Sequence, residues 1–281
     1  MRNILIIHDA GFAPIDDLLT WNALPLERPD ITDPFIFLNH HGPQHYAPFN
    51  SGLPFGPHPH RGMETVTFII DGDIMHKDSD GNESVITAGG VQWMTAGSGL
   101  VHAEVSSEQF KQKGGNLEIL QLWLNLPSAL KMTAPFYIGK QVDDIHTFTV
   151  FPGVQMDLIS GQYYEYAPTF TYRKDIFLSM LYFDAGAAFK DLVPPVENIL
   201  MYVIRGSFKI NQMSVSKNQL VEFGHDHSQI EIEACTEGII LYGHARPFNE
   251  PIVARGPFVM NTMQEIYEAY ADYTAGKFGS F

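Results

Sequence analysis

The chain has 281 residues, with 17 Lys and Arg against 32 Asp and Glu, for a formal net charge of −15. Residues 1–140 carry 8 cations and 15 anions and residues 141–281 carry 9 and 17, so neither half offers the clustered Lys and Arg of a nucleic-acid binder. A hydrophobic content of 45% and one cysteine, Cys235, describe a folded globular chain with no internal disulfide.

The first apolar run, Ile4-Leu5-Ile6-Ile7, stops at His8 and Asp9. It is far shorter than the about 18 residues of a membrane span or the about 7–15 of a signal-peptide core, so the cytoplasm is the expected location. His40, His41 and His45 follow in a stretch read as a loop, where they would sit on the surface or a pocket rim. Next come His58-Pro59-His60 and Glu64, and then a β-branched, aromatic strand, Thr65-Val66-Thr67-Phe68-Ile69-Ile70, ending at Asp71-Gly72. His76 stands beside a turn and reads as structural. Asp78-Ser79-Asp80-Gly81-Asn82 is a hairpin turn, because Asp-Gly supplies positive-φ positions. A Gly97-Ser98-Gly99 turn leads to His102-Ala103-Glu104, and Ser106-Ser107-Glu108 opens a short helical turn. Leu120, Leu122, Leu124 and Leu126 then repeat with the period of two that marks a strand.

Residues 139–172 bridge to a second segment, Asn198 to Gly206, which repeats the pattern of Glu64 to Gly72 at an offset of 134 residues. This repeat predicts two β units, with domains over 1–138 and 139–281. His225-Asp226-His227 falls in a turn. Near the end, Thr262 and Glu265 form a capping box, and Ile266, Tyr270 and Tyr273 repeat at helical spacing before Gly276, predicting a helix over 263–275 laid on the β core. With 24 Gly and 18 Pro between short apolar runs, the fold class is all-β, a sandwich or barrel.

Seven of the 12 histidines fall between His40 and His102. On a strand, residues i and i+2 share a face, so His58 and His60 can converge on one ion. If the His102-x-Glu104 segment runs beside them, three imidazoles and one carboxylate form a patch suited to a borderline divalent metal. Four protein donors leave two octahedral positions open for oxygen or substrate chemistry. A divalent ion with one Glu leaves a charge of +1, which an anionic, chelating oxygen ligand would neutralise. Glu64 is read as a group that orients a ligand or does acid–base work. At the 134-residue offset, Leu192, Pro194 and Asn198 stand opposite His58, His60 and Glu64, so one metal per chain is expected.

These residues resemble the cupin superfamily, whose first motif fits His58-x-His60-x3-Glu64-x7-Gly72 with one extra residue before the last Gly. Its second motif is met by Gly97-x-Gly99-x2-His102, which lacks the usual Pro. Within the cupins the chain is similar to the pirin family through Asp33-Pro34-Phe35, His58-Pro59-His60-Arg61-Gly62, His76-Lys77-Asp78-Ser79, Gln92-Trp93-Met94-Thr95-Ala96-Gly97 and Gln121-Leu122-Trp123-Leu124-Asn125-Leu126-Pro127. The resemblance implies a bicupin of two face-to-face β-barrels, with one Fe-type metal held by His58, His60, His102 and Glu104; Mn, Ni, Cu, Co and Zn suit the same donors. It also implies quercetin 2,3-dioxygenase activity, in which a flavonol is opened by O2 with release of carbon monoxide.

Two functional expectations follow. In the first, the chain is an Fe(2+)-dependent dioxygenase of a flavonol-like phenol. Glu104 or Glu64 takes the substrate proton, and Phe55, Trp93 and Met94 are apolar neighbours. In the second, it is a non-enzymatic redox or metal sensor that acts as a transcriptional co-regulator through a protein partner. No direct nucleic-acid or membrane contact is expected in either.

Overall fold

The computed structural model describes residues 1–280, which form two compact units. The first comprises Phe12–Pro25, Phe35–Asp143 and the chain from Phe248 onward; the second comprises Met1–Gly11, Leu26–Pro34 and Asp144–Pro247. The chain thus changes unit at Asp143, close to the expected division at 138/139, but both ends lie in the unit opposite to the expected one. Strand pairing explains the first exchange. Ile4–Asp9 pairs antiparallel with Gln219–Phe223, placing Ile7 opposite Val221. Arg2 is buried and donates to the carbonyl oxygens of Gly224, Pro194 and Glu197.

Each unit contains a seven-stranded and a four-stranded sheet. In the first unit the larger sheet runs Phe136–Lys140, Val91–Thr95, Met63–Asp71, Gly115–Asn125, Phe35–Tyr46, Thr20–Leu24, Gly11–Phe12. The smaller runs Phe55–His60, Leu100–Val105, Asp73–Asp78, Glu83–Thr87. In the second unit the larger sheet runs Ile4–Asp9, Gln219–Phe223, Asn198–Arg205, Gly238–Ala245, Ile176–Phe183, Val154–Ser160, Thr147–Phe151. The smaller is Ala188–Leu192, Gln229–Ala234, Ser207–Ile210, Met213–Ser216. Met63–Asp71 and Asn198–Arg205, the two halves of the sequence repeat, occupy the same third place in their sheets. The repeat is therefore architectural.

Alternation within these strands builds the interiors. In the second unit Val154, Met156 and Leu158 join Ile199, Met201, Val203, Ile230, Ile232, Ile240 and Tyr242 in one apolar cluster. In the first unit the apolar residues form separate clusters, one around Ile69, Ile74, Ile86 and Ile119 and another around Met63, Met94 and Leu100. Along Met63–Asp71 the inner face reads Met63, Thr65, Thr67, Ile69, apolar at both ends and polar between.

The expected hairpin turn joins Asp73–Asp78 to Glu83–Thr87. The helices are Glu108–Lys113, capped by the Ser107 hydroxyl, and Met263–Thr274, closed by the Thr262–Glu265 capping box. The latter buries Ile266 and Ala269 against Phe258, Met260 and Phe278, whereas Tyr270 and Tyr273 stay partly exposed at the edge of this cluster. No helix among the described residues is long and apolar enough to cross a membrane.

Candidate metal centre

Phe55–His60 and Leu100–Val105 pair antiparallel with His58 opposite His102. This register brings three imidazoles together, with ring centroids 4.4 Å apart for His58–His102, 4.9 Å for His58–His60 and 5.0 Å for His60–His102. A nitrogen of each lies within 4.8 Å of a nitrogen of the other two. His58 Nδ1 is 2.7 Å from the Gly56 carbonyl oxygen and His60 Nδ1 is 3.1 Å from that of Pro257. A carbonyl can only accept, so both rings carry their proton on Nδ1 and present a bare Nε2. His60 Nε2 and both ring nitrogens of His102 are buried without a hydrogen-bond partner. Burial, reinforced for His60 and His102 by neighbouring imidazoles, lowers all three basicities and takes His60 down to about 3. The cluster is a set of neutral nitrogen lone pairs aimed at one another, an arrangement that a cation relieves.

Glu104 shares this neighbourhood through a second donor group, His76, His102 and Glu104, whose ligand atoms also lie within 4.8 Å of one another. Its Oε1 accepts from Gln92 Nε2 and from Thr67 Oγ1 at 3.3 Å, and its Oε2 accepts from Gln121 Nε2 at 2.5 Å. Both amides are oriented from behind. The Tyr137 hydroxyl donates to Gln92 Oε1 at 3.2 Å, and the Trp123 indole donates to Gln121 Oε1 at 3.4 Å, leaving each amide nitrogen to face the carboxylate. Burial nevertheless outweighs these donors and raises the Glu104 carboxyl to about 7.

Glu64 does not join the site. It stands three residues from Thr67 on a regular strand and so faces the opposite side of the sheet, where its carboxylate accepts from Thr95 Oγ1 at 2.8 Å. The acid–base role expected for it is withdrawn on that geometry. Trp93, of the same parity opposite Val66, is also turned away, whereas Met94 faces inward with Met63. Phe55 packs beside His41 at 5.2 Å. His40, His41 and His45 lie on the twelve-residue strand Phe35–Tyr46 rather than a loop. Their nitrogens engage Glu118, Thr20 and Asn116 at 2.9 Å each. His225 and His227 lie between strands in the second unit, in the turn expected for them.

Other members of the site escaped the sequence reading. Gln121 and Trp123 alternate with the leucines of strand Gly115–Asn125, and that period of two puts both on its inner face, where the sequence alone assigns them no site role. Trp123 packs edge-on to His60 at 5.1 Å and stacks on Phe37 at 4.4 Å. The tail is a second addition. Arg61, next to His60, donates to Asp272 at 2.9 Å and lies over the Phe278 ring at 4.6 Å. Buried Lys131 donates to the carbonyl oxygens of Gly62 and Val259. Gly62 has φ +80°, and a Cβ there would stand 2.1 Å from the Val259 oxygen, so only glycine lets the tail pass this closely.

The comparisons with known proteins agree with this architecture. The Pirin family model matches residues 21–124, and the Pirin C-terminal cupin domain model matches residues 180–279. A pirin-like protein of Caulobacter vibrioides is 35% identical over 250 residues, covering 88% of this chain and 87% of its own. The crystal structure of a quercetin 2,3-dioxygenase from Acinetobacter baumannii superposes with a TM-score of 0.94 at 32% identity, over 100% of this chain and 99% of that one. A bacterial pirin of Escherichia coli, solved in complex with nickel(II), shares the fold with a TM-score of 0.67 at 20% identity, over 86% of this chain and 100% of its own. The chain belongs to the pirin family, with two cupin domains.

Proposed function

We propose that the chain is a metal-dependent dioxygenase that opens a flavonol such as quercetin with O2, its metal held by His58, His60, His102 and Glu104. The observation that carries this reading is the convergence of buried, unpartnered imidazole nitrogens, His60 Nε2 and both nitrogens of His102, with the bare Nε2 of His58. Neutral nitrogens with one carboxylate suit Fe(2+) first and accept Mn, Ni, Cu, Co or Zn. The likeness to the Acinetobacter enzyme supports the substrate class, and the nickel complex of the Escherichia coli pirin supports a metal in this fold.

The bound metal would act as Lewis acid and template for a chelating phenolate and O2. The chain's own residues do the rest. Gly56 and Pro257 carbonyls fix the His58 and His60 tautomers, so neither ring need reorganise to bind. Gln92, Gln121 and Thr67 hold the Glu104 carboxylate in place, and the one lone pair these three donors leave open, on Oε2, is the one that would meet the metal. Trp123 and Phe37 form a stacked aromatic wall beside His60 against which a planar phenolic ring can lie.

Anaerobic reconstitution with iron, followed by quercetin in air, tests the proposal. The expected result is loss of the flavonol absorbance with release of carbon monoxide. Fully iron-loaded protein that leaves quercetin intact would exclude this substrate.

A further inference from the structure

His102 poses a question that the ligand set leaves open. Both of its ring nitrogens are buried without a partner. A metal takes one of them. The other must then carry a proton, and an N–H buried without an acceptor is destabilising, because it has lost its hydrogen bonds to water. A second orphan lies beside it: His76 Nδ1 is also buried without a partner. A nitrogen of His76 lies within 4.8 Å of a nitrogen of His102, and the ring centroids are 5.4 Å apart.

The surroundings fix which kind of orphan His76 Nδ1 is. Its Nε2 is 3.0 Å from Asp78 Oδ2. Asp78 is surrounded by donors: Oδ1 accepts from the backbone N–H groups of Asp80 and Asn82, both at 3.0 Å, and the Asn82 amide reaches both oxygens. So solvated by donors, Asp78 is an acceptor and His76 Nε2 carries the proton. His76 Nδ1 is therefore a bare lone pair. The Tyr137 ring stacks on His76 at 3.9 Å with an interplanar angle of 8°, which holds the imidazole in plane. The strand register sets Asp78 opposite His102 and His76 opposite Glu104.

We infer that His76 is a positioning residue that accepts the N–H of His102 opposite its metal-bound nitrogen, in a line Asp78–His76–His102–metal. The two orphans are complementary, one needing an acceptor on metal binding and the other being one. With a nitrogen of each ring within 4.8 Å of one of the other, a side-chain adjustment on metal binding would bring His76 Nδ1 to hydrogen-bond distance of the His102 N–H. The second unit supplies the contrast. There Ile210, at the 134-residue offset from His76, pairs with Ile232, so the acceptor is missing along with the ligands. The inference rests on the proposed ligand set and adds the group that orients its most buried member.

The test uses zinc as a diamagnetic probe in protein labelled with 15N-histidine. In zinc-loaded wild type, His76 should be protonated on Nε2 only, and the His102 N–H should resist solvent exchange. His76→Phe, which keeps the stack on Tyr137 and removes the acceptor, should weaken zinc binding about 10–100-fold and speed exchange of the His102 proton. His76→Gln, which restores a side-chain oxygen, should recover part of both. A proton on His76 Nδ1 in the wild type, a measurement that needs no variant, overturns the inference. So does a His76→Phe variant with zinc affinity and exchange unchanged. If wild type takes up zinc and His60→Ala does not, the ligand set stands whatever His76 does. If wild type takes up none, both readings fall.

Discussion

The two units build the same pair of sheets around opposite interiors. The ladders match them residue by residue. Thr67 pairs with Gln121 and Thr65 with Trp123 in the first unit, where Met201 pairs with Tyr242 and Ile199 with His244 in the second. His102 and Glu104 correspond to Ile230 and Ile232, and His76 to Ile210. The second interior is accordingly one continuous apolar cluster, whereas a polar belt divides the first. What polarity the second unit keeps is paired: the Tyr242 hydroxyl donates to Asp191 at 2.7 Å, and His244 Nδ1 meets Glu197 at 2.6 Å. The scaffold thus tolerates either filling. The second unit gains stability from burial, and the first leaves nitrogen donors unpaired where a cation can bind.

Exchanging the two kinds of damage tests that division. His60→Ala should abolish metal uptake, read by elemental analysis after reconstitution, while leaving the far-ultraviolet circular dichroism of the metal-free protein unchanged. Phe189, fully buried in the second interior, should behave in the opposite way. Phe189→Ala should cost about 3–5 kcal/mol in denaturant unfolding, with metal affinity retained in the folded fraction. A His60→Ala protein that still loads metal would break the comparison at once.

A smaller effect is expected one layer out from the ligands. Gln121→Leu removes the donor to Glu104 Oε2 and the acceptor for the Trp123 indole. Metal affinity should fall about 10–100-fold by titration calorimetry. The corresponding change in the second unit, Tyr242→Phe, leaves Asp191 without its hydroxyl partner and should lower stability by about 1 kcal/mol with no change in metal affinity.

How much of this contrast the sequence carries depends on the distance over which each signal acts. The i, i+2 spacing of His58 and His60, and of His102 and Glu104, is local, and strand geometry turns it directly into shared faces. The 134-residue offset is also legible, because each repeat ends on its own turn glycine. The exchange of chain ends is not legible: Ile4–Asp9 looks like any edge strand until its partner, Gln219–Phe223, is known. His76 and Glu64 show the same limit from opposite sides. Glu64 stands at a motif position, yet its parity with Val66 and Phe68 turns it away. His76 stands outside both metal-ligand motifs, yet the ladder sets it opposite Glu104.

The finest prediction concerns protons. Burial raises the Glu104 carboxyl from 4.5 to about 7 in the metal-free protein, while His60 is lowered to about 3 and His58 and His102 are lowered with it. A carboxyl whose folded pKa is raised holds its proton in the folded state where the unfolded chain has lost it. Between pH 4.5 and 7 this group therefore makes the metal-free protein less stable as pH rises, by about 3 kcal/mol over the whole interval. The imidazoles oppose it below their unfolded value of 6.5, because the unfolded chain then binds protons that the folded site refuses. Metal binding needs all four donors deprotonated. At pH 6 Glu104, raised to about 7, carries a proton to displace and His60, lowered to about 3, carries none, so calorimetry in buffers of different ionisation enthalpy should find close to one proton released per metal, and about none at pH 8. Affinity should accordingly rise about tenfold per pH unit below 7 and level off above it. Release of two or more protons at pH 6 would mean that the imidazoles are not held neutral, and the polar belt would then differ from the second interior in charge as well as in polarity.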